Sequence, residues 1–152
     1  MSTESIGELQ AAQVNLSPSP IRASWVLEGN PIARNKLVSV SADGAARSYI
    51  WDCTAGRFNW FYEADETIYV IEGGVVVKEA SGAVRRLRAG DTYLFPAGAR
   101  TEWHVENYIR KFAIIRAPLP RPLVFAKRAY QVFKRLTGRG RSDGANPVPA
   151  MF

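Results

Sequence analysis

Histidine and cysteine are nearly missing from this chain: one of each, His104 and Cys53, in 152 residues. A single cysteine cannot close an internal disulfide, which excludes a stapled secreted scaffold. No apolar run approaches the roughly 18 residues that a membrane-spanning helix needs. The opening MSTESIGELQ has neither a basic start nor an apolar stretch. No signal peptide is therefore expected, and a cytoplasmic protein is the default reading. Net charge is missing from most of the chain as well. Residues 121–152 hold seven basic side chains against one acid, Asp143, which accounts for the whole formal charge of +6. The first 120 residues balance. A high overall pI therefore gives no ground for specific nucleic-acid binding by the main domain.

What is present is β-forming. A hydrophobic content of 47% and a charged content of 22% fit one ordinary folded domain of this length. From Ile21 to Arg116 the chain is a series of short runs rich in Val, Ile, Tyr, Phe and Trp. They are SWVLE, KLVSVSA, ARSYIWDC, RFNWFYE, TIYVIEG, GVVVKEA, AVRRLR, DTYLFP, TEWHVEN and RKFAIIRA. Turn chemistry separates them: ADGA at 42–45, EADE at 63–66, EGG at 72–74, ASGA at 80–83, RAGD at 88–91 and PAGA at 96–99. Such spacing predicts an all-β antiparallel sandwich or barrel. Residues 1–20 are polar, end in SPSP and read as a flexible arm. The domain spans 21–120. Beyond it Phe125, Ala129, Val132, Phe133 and Leu136 fall at helical spacing, with Lys127, Arg128, Gln131, Lys134 and Arg135 opposite. That predicts a basic amphipathic helix over 121–137, with Pro122 in its first turn and Gly138 at its end. Residues 138–152 read as a disordered tail.

Two blocks carry a resemblance. GRFNWFYEADETIYVIEG (56–73) is followed 16 residues later by GDTYLFPAGARTEWHVEN (90–107). In order and in spacing they resemble the two halves of the cupin signature. WVLEG at 25–29, IWDC at 50–53, and Trp103 ahead of Arg110 and Lys111 narrow the likeness to the ureidoglycine aminohydrolase-type cupins. The resemblance covers about residues 22–116. It implies a jelly-roll β-barrel of the RmlC-like kind, often paired into a homodimer. In metal-binding cupins a strand offers two histidines at i and i+2, a Glu follows, and a third histidine comes from the last strand. The positions that correspond here are Trp60, Tyr62, Glu66 and Thr101. The aminohydrolase plan differs in its donors, and this chain departs from that plan too, with Glu rather than His at 66. One carboxylate and one hydroxyl fall short of what Zn²⁺, Mn²⁺ or Fe²⁺ takes. No metal and no other cofactor is expected, a divalent ion being the less favoured alternative.

Strand parity says what replaces the ion, because residues two apart face the same side. Phe58, Trp60 and Tyr62 share one face. Trp51 and Cys53 share another with Tyr49. Thr101, Trp103 and Val105 share a third, which turns His104 outward. The expected ligand-binding set is Trp51, Cys53, Trp60, Tyr62, Glu66, Thr101 and Trp103, an aromatic pocket with one acid. Glu66 is the catalytic candidate, and Tyr62, Thr101 or an indole N–H is its expected hydrogen-bond donor. Cys53 has no histidine within reach and reads as packing.

The expected function is metal-independent binding of a small polar or amine-bearing molecule, its cation set over the indole faces. The alternatives are an aminohydrolase-like enzyme acting on a small ureido or amino compound, and a structural dimerisation module plugged by its tryptophans. The helix is expected to pack on the barrel or a dimer mate, with contact to an anionic membrane surface, or to nucleic acid through the GRGR tail, as the alternatives.

Overall fold

The computed structural model describes residues 14–118 and 120–136. Among these, eight strands form one curled antiparallel sheet. They are β1 (Ser17–Pro18), β2 (Val26–Gly29), β3 (Ala33–Val40), β4 (Ala46–Phe61), β5 (Asp65–Glu79), β6 (Val84–Arg88), β7 (Thr92–Phe95) and β8 (Arg100–Arg116), followed by helix α1 (Arg121–Leu136). The chain divides into two compact units, Met1–Pro118 and Leu119–Phe152. Pro118, Pro120 and Pro122 mark the change, since proline cannot donate to a ladder.

Three long strands make the barrel. β8 lies between β4 and β5 and pairs with both. β3 and β2 line the far side of β4, and β7 and β6 line the far side of β5. The sequence breaks each long strand into two runs, and the structure fuses them. The reason is the bulge. Register slips between Thr54 and Gly56 on β4, and between Gly73 and Val76 on β5. A bulge bends a strand without ending it, which lets one strand serve two sides of a barrel. EGG at 72–74 is therefore a bend inside β5 and not a turn. Gly73 carries a φ of 71°, and a Cβ there would collide with the Tyr108 carbonyl of β8.

The inner faces supply the core. Phe58, Ile68, Val77, Phe95, Trp103 and Ile109 are buried to within about 1%. The barrel parity holds in β8, where Thr101, Trp103 and Val105 are buried and His104 is exposed.

The end of the expected flexible arm is placed on the sheet. β1 pairs with β3, Ser19 donates its N–H to the Ala33 carbonyl, and the Val14 carbonyl accepts from Arg110 Nη2. Ladder bonds outweigh the Ser/Pro composition that reads as disorder. Residues 1–13 of that arm, Thr137 and the 138–152 tail lie outside the described residues.

Candidate functional site

The inner face of β4 and β8 is polarised by one buried ion pair. Lys111 Nζ lies 2.5 Å from Glu66 Oε1, and both side chains are over 90% buried. Lys111 is opposite Trp51 on β4 and opposite Val70 on β5. Its ammonium sits 4.9 Å from the Trp51 ring centroid and 4.7 Å from that of Trp103. A charge removed from water needs such partners, and a carboxylate plus two indole faces supplies them.

Beside the pair is a cavity of about 130 Å³. Trp51, Trp60 and Tyr49 form its aromatic wall, and Glu66 and Lys111 its charged floor. Ala113 and Ile115 continue the β8 side, while Ser19 and Asn35 close the rim. Asn35 Nδ2 donates to Ser19 Oγ at 3.1 Å, so the β1 segment helps to shape the mouth.

The seven expected ligand-binding residues divide. Trp51, Trp60 and Glu66 line the cavity. Trp103 lies beneath it, edge-on to Trp51 at 6.0 Å and stacked on Phe58 at 6.1 Å. Its Nε1–H donates to Tyr62 Oη at 3.1 Å, and Tyr62 stacks on Phe95 at 4.5 Å. Burial holds the Tyr62 phenol well above its ordinary range, with the Glu66 charge adding to the effect. Thr101 is buried and donates to the Trp60 carbonyl at 3.4 Å. Cys53 is buried in the core.

Two expectations change here. The donor to Glu66 is Lys111, and not Tyr62, Thr101 or an indole. The cation over the indole faces belongs to the protein. Trp51 and Trp103 are packed in the core, and the cavity opens beside Trp51 and Trp60.

Lys111 is what the sequence reading missed. The signal was available, because Lys111 lies at even spacing from Trp103 and Val105 and so shares their inward face.

On the opposite face of the same strands, Asp52 is 1% exposed. It accepts from Arg34 Nε at 3.0 Å and Nη2 at 2.5 Å, and from Tyr108 Oη at 2.8 Å. This clamp ties β3, β4 and β8 together directly behind Trp51. A fork of two guanidinium bonds is geometrically specific, so it fixes the strand that carries the wall.

Burial pushes the Cys53 thiol up to about 12, with the Asp52 charge adding to it. The sign follows: the neutral thiol is the form that the fold keeps. Its contribution to stability is intact below about pH 9 and is lost as pH climbs toward about 12. Cys53 is therefore expected to resist Ellman's reagent at pH 8 in the folded protein, and to react in step with unfolding in urea. Prompt reaction of the native protein would contradict its burial.

The residues do not fit a transition metal. Among the described residues no cluster of three or more His, Cys, Asp and Glu side chains could hold an ion. Glu66, the one ligand type at the family positions, is bound to an ammonium. A larger depression of about 320 Å³ lies between β5, β6 and β8. Its Arg86 and Glu106 are already paired with each other at 3.1 Å, so it offers less chemistry.

Comparisons with known proteins agree with this architecture. Residues 40–113 match the EutQ-like cupin domain. A protein with unknown function from Pseudomonas syringae is 27% identical, with a TM-score of 0.63 over 68% of this chain and 45% of that one. The chain thus spans about half the length of that relative. The EutQ protein of Clostridium difficile is 17% identical, with a TM-score of 0.57 over 72% of this chain and 86% of that one. A cupin-like protein from Thermotoga maritima is 15% identical, with a TM-score of 0.53 over 64% and 76%. No curated protein matches. The chain has the cupin fold, and its barrel carries the match to the EutQ-like cupin domain.

Proposed function

We propose that this cupin binds a small neutral molecule without a metal, between the Trp51 and Trp60 indoles and against the Lys111–Glu66 pair. The observation that carries the reading is the ammonium of Lys111 at 2.5 Å from Glu66, inside the aromatic barrel. It neutralises the acid, so the floor has no net charge with which to attract a cationic ligand. An amine-bearing ligand, as expected from sequence, would meet an ammonium already seated on the indole faces. The pair instead presents a donor and an acceptor side by side. A carboxamide, a ureido group or a small alcohol carries the complement. The cavity of about 130 Å³ admits only a handful of heavy atoms.

The ureidoglycine aminohydrolase-type reading shares the ureido chemistry but needs a metal-bound centre. The replacement of ligand types by Trp60, Tyr62 and Thr101 argues against it.

The test uses tryptophan fluorescence of tag-free, EDTA-treated protein, titrated with small amides, ureas and alcohols. A saturable ligand is expected, with affinity at least about tenfold lower in Trp60→Ala. Trp60 is only partly buried, so that variant is expected to stay folded, which near-UV circular dichroism checks. Binding that appears only after a divalent metal is restored would overturn the proposal.

A further inference from the structure

Helix α1 carries five basic residues, Arg121, Lys127, Arg128, Lys134 and Arg135, and no acid. Four of its apolar side chains are exposed. Leu123 is 55% exposed, Phe125 68%, Val132 55% and Leu136 80%. Phe125, Ala129, Val132 and Leu136 follow one line along the helix. Lys127, Gln131 and Lys134 lie opposite, and Arg128 and Arg135 sit on the flank between. Tyr130 lies on the polar side, between Ala126 and Lys134, and is 65% exposed.

From this arrangement we infer that α1 docks on an anionic lipid surface, lying in the plane of the interface. A surface of that kind satisfies both faces at once. The apolar line enters the boundary between headgroups and acyl chains, while the flanking arginines reach phosphates along their own stems. A second copy of the helix would cover the apolar line but bring five more positive charges beside the first five. A nucleic acid would take the charges and leave Phe125 and Leu136 in water. Spanning is excluded for α1, since no helix among the described residues is long and apolar enough to cross a membrane. The helix of 16 residues is about 24 Å long.

The probe is the full chain, co-sedimented with vesicles of phosphatidylcholine alone or mixed with phosphatidylglycerol. Binding is expected to the mixed vesicles only, and to weaken at high salt as the charges are screened. Each basic side chain near such a surface strengthens binding by roughly fivefold. Lys134→Glu with Arg135→Glu is therefore expected to lower binding by more than about tenfold. Phe125→Ser with Leu136→Ser should lower it as strongly while leaving every charge in place. All four tryptophans lie in the barrel unit, at positions 25, 51, 60 and 103. Their near-UV signal reports whether the barrel of each variant is intact. No binding to mixed vesicles at low salt overturns the inference. So does a concentration-dependent dimer that Phe125→Ser with Leu136→Ser breaks, in protein that ignores vesicles. Nucleic-acid binding unaffected by that apolar pair, without vesicle binding, overturns it too.

Discussion

Lys111→Met is expected to destabilise the fold by about 3–5 kcal/mol, read as a lower urea midpoint with an unchanged slope. Methionine fills much of the lysine stem's volume, so lost packing is a small part of the effect. The cost is the Glu66 carboxylate, left in a barrel of aromatic rings with its ammonium gone. The pair need not stabilise the fold by that amount, because both groups gave up water to form it. The Lys111→Met, Glu66→Leu double variant separates these two ideas. It removes both charges, and most of the lost stability should return. If the double variant is instead as weak as the sum of its singles, Lys111 and Glu66 are not coupled.

Trp103→Ala should cost a similar amount, about 3–5 kcal/mol. Trp103 is 1% exposed and touches five other residues of the core. It stacks on Phe58, meets Trp51 edge-on, lies tilted against Phe95, bonds Tyr62 through its N–H, and underlies the Lys111 ammonium. Truncation opens a void and leaves Tyr62 Oη without its indole donor. Trp103→Phe keeps a ring, so it should cost less, about 1–2 kcal/mol. Trp60→Ala is the useful contrast. Its ring is partly exposed at the cavity wall, so ligand affinity should fall much further than stability. The urea midpoints of the three variants check the order. A Trp103→Ala protein as stable as Trp60→Ala would mean that Trp103 is not the base on which the site is built.

Much of this fold was legible because β-sheet writes itself at period two. Val, Ile and aromatic runs marked the strands, and parity alone turned His104 out and Trp103 in. Two features were hidden, for one physical reason each. The long strands were hidden by their bulges. A Gly pair after an acid reads as a turn, and the difference at Gly73 lies in what β8 does beside it. Parity gave the direction of Lys111, but its burial was hidden by its partner. Whether a lysine is buried is decided by the carboxylate it meets, and Glu66 is 45 positions away. A basic doublet such as Arg110 and Lys111 reads as a solvated face. In the barrel both are buried, one on each side of the sheet. The aromatic wall was legible at Trp51 and Trp60, whereas the rim was not. Ser19 lies in a segment whose composition gave no hint that it pairs with β3.

An internal ammonium holds Glu66, and we propose that it stands in place of a metal ion. The most direct test is the metal content of tag-free protein by mass spectrometry, with Glu66→Gln measured alongside. No transition metal near one equivalent per chain is expected in either protein, and no gain in stability on adding Zn²⁺, Mn²⁺ or Fe²⁺. A near-stoichiometric metal in the native protein that disappears in Glu66→Gln would contradict it.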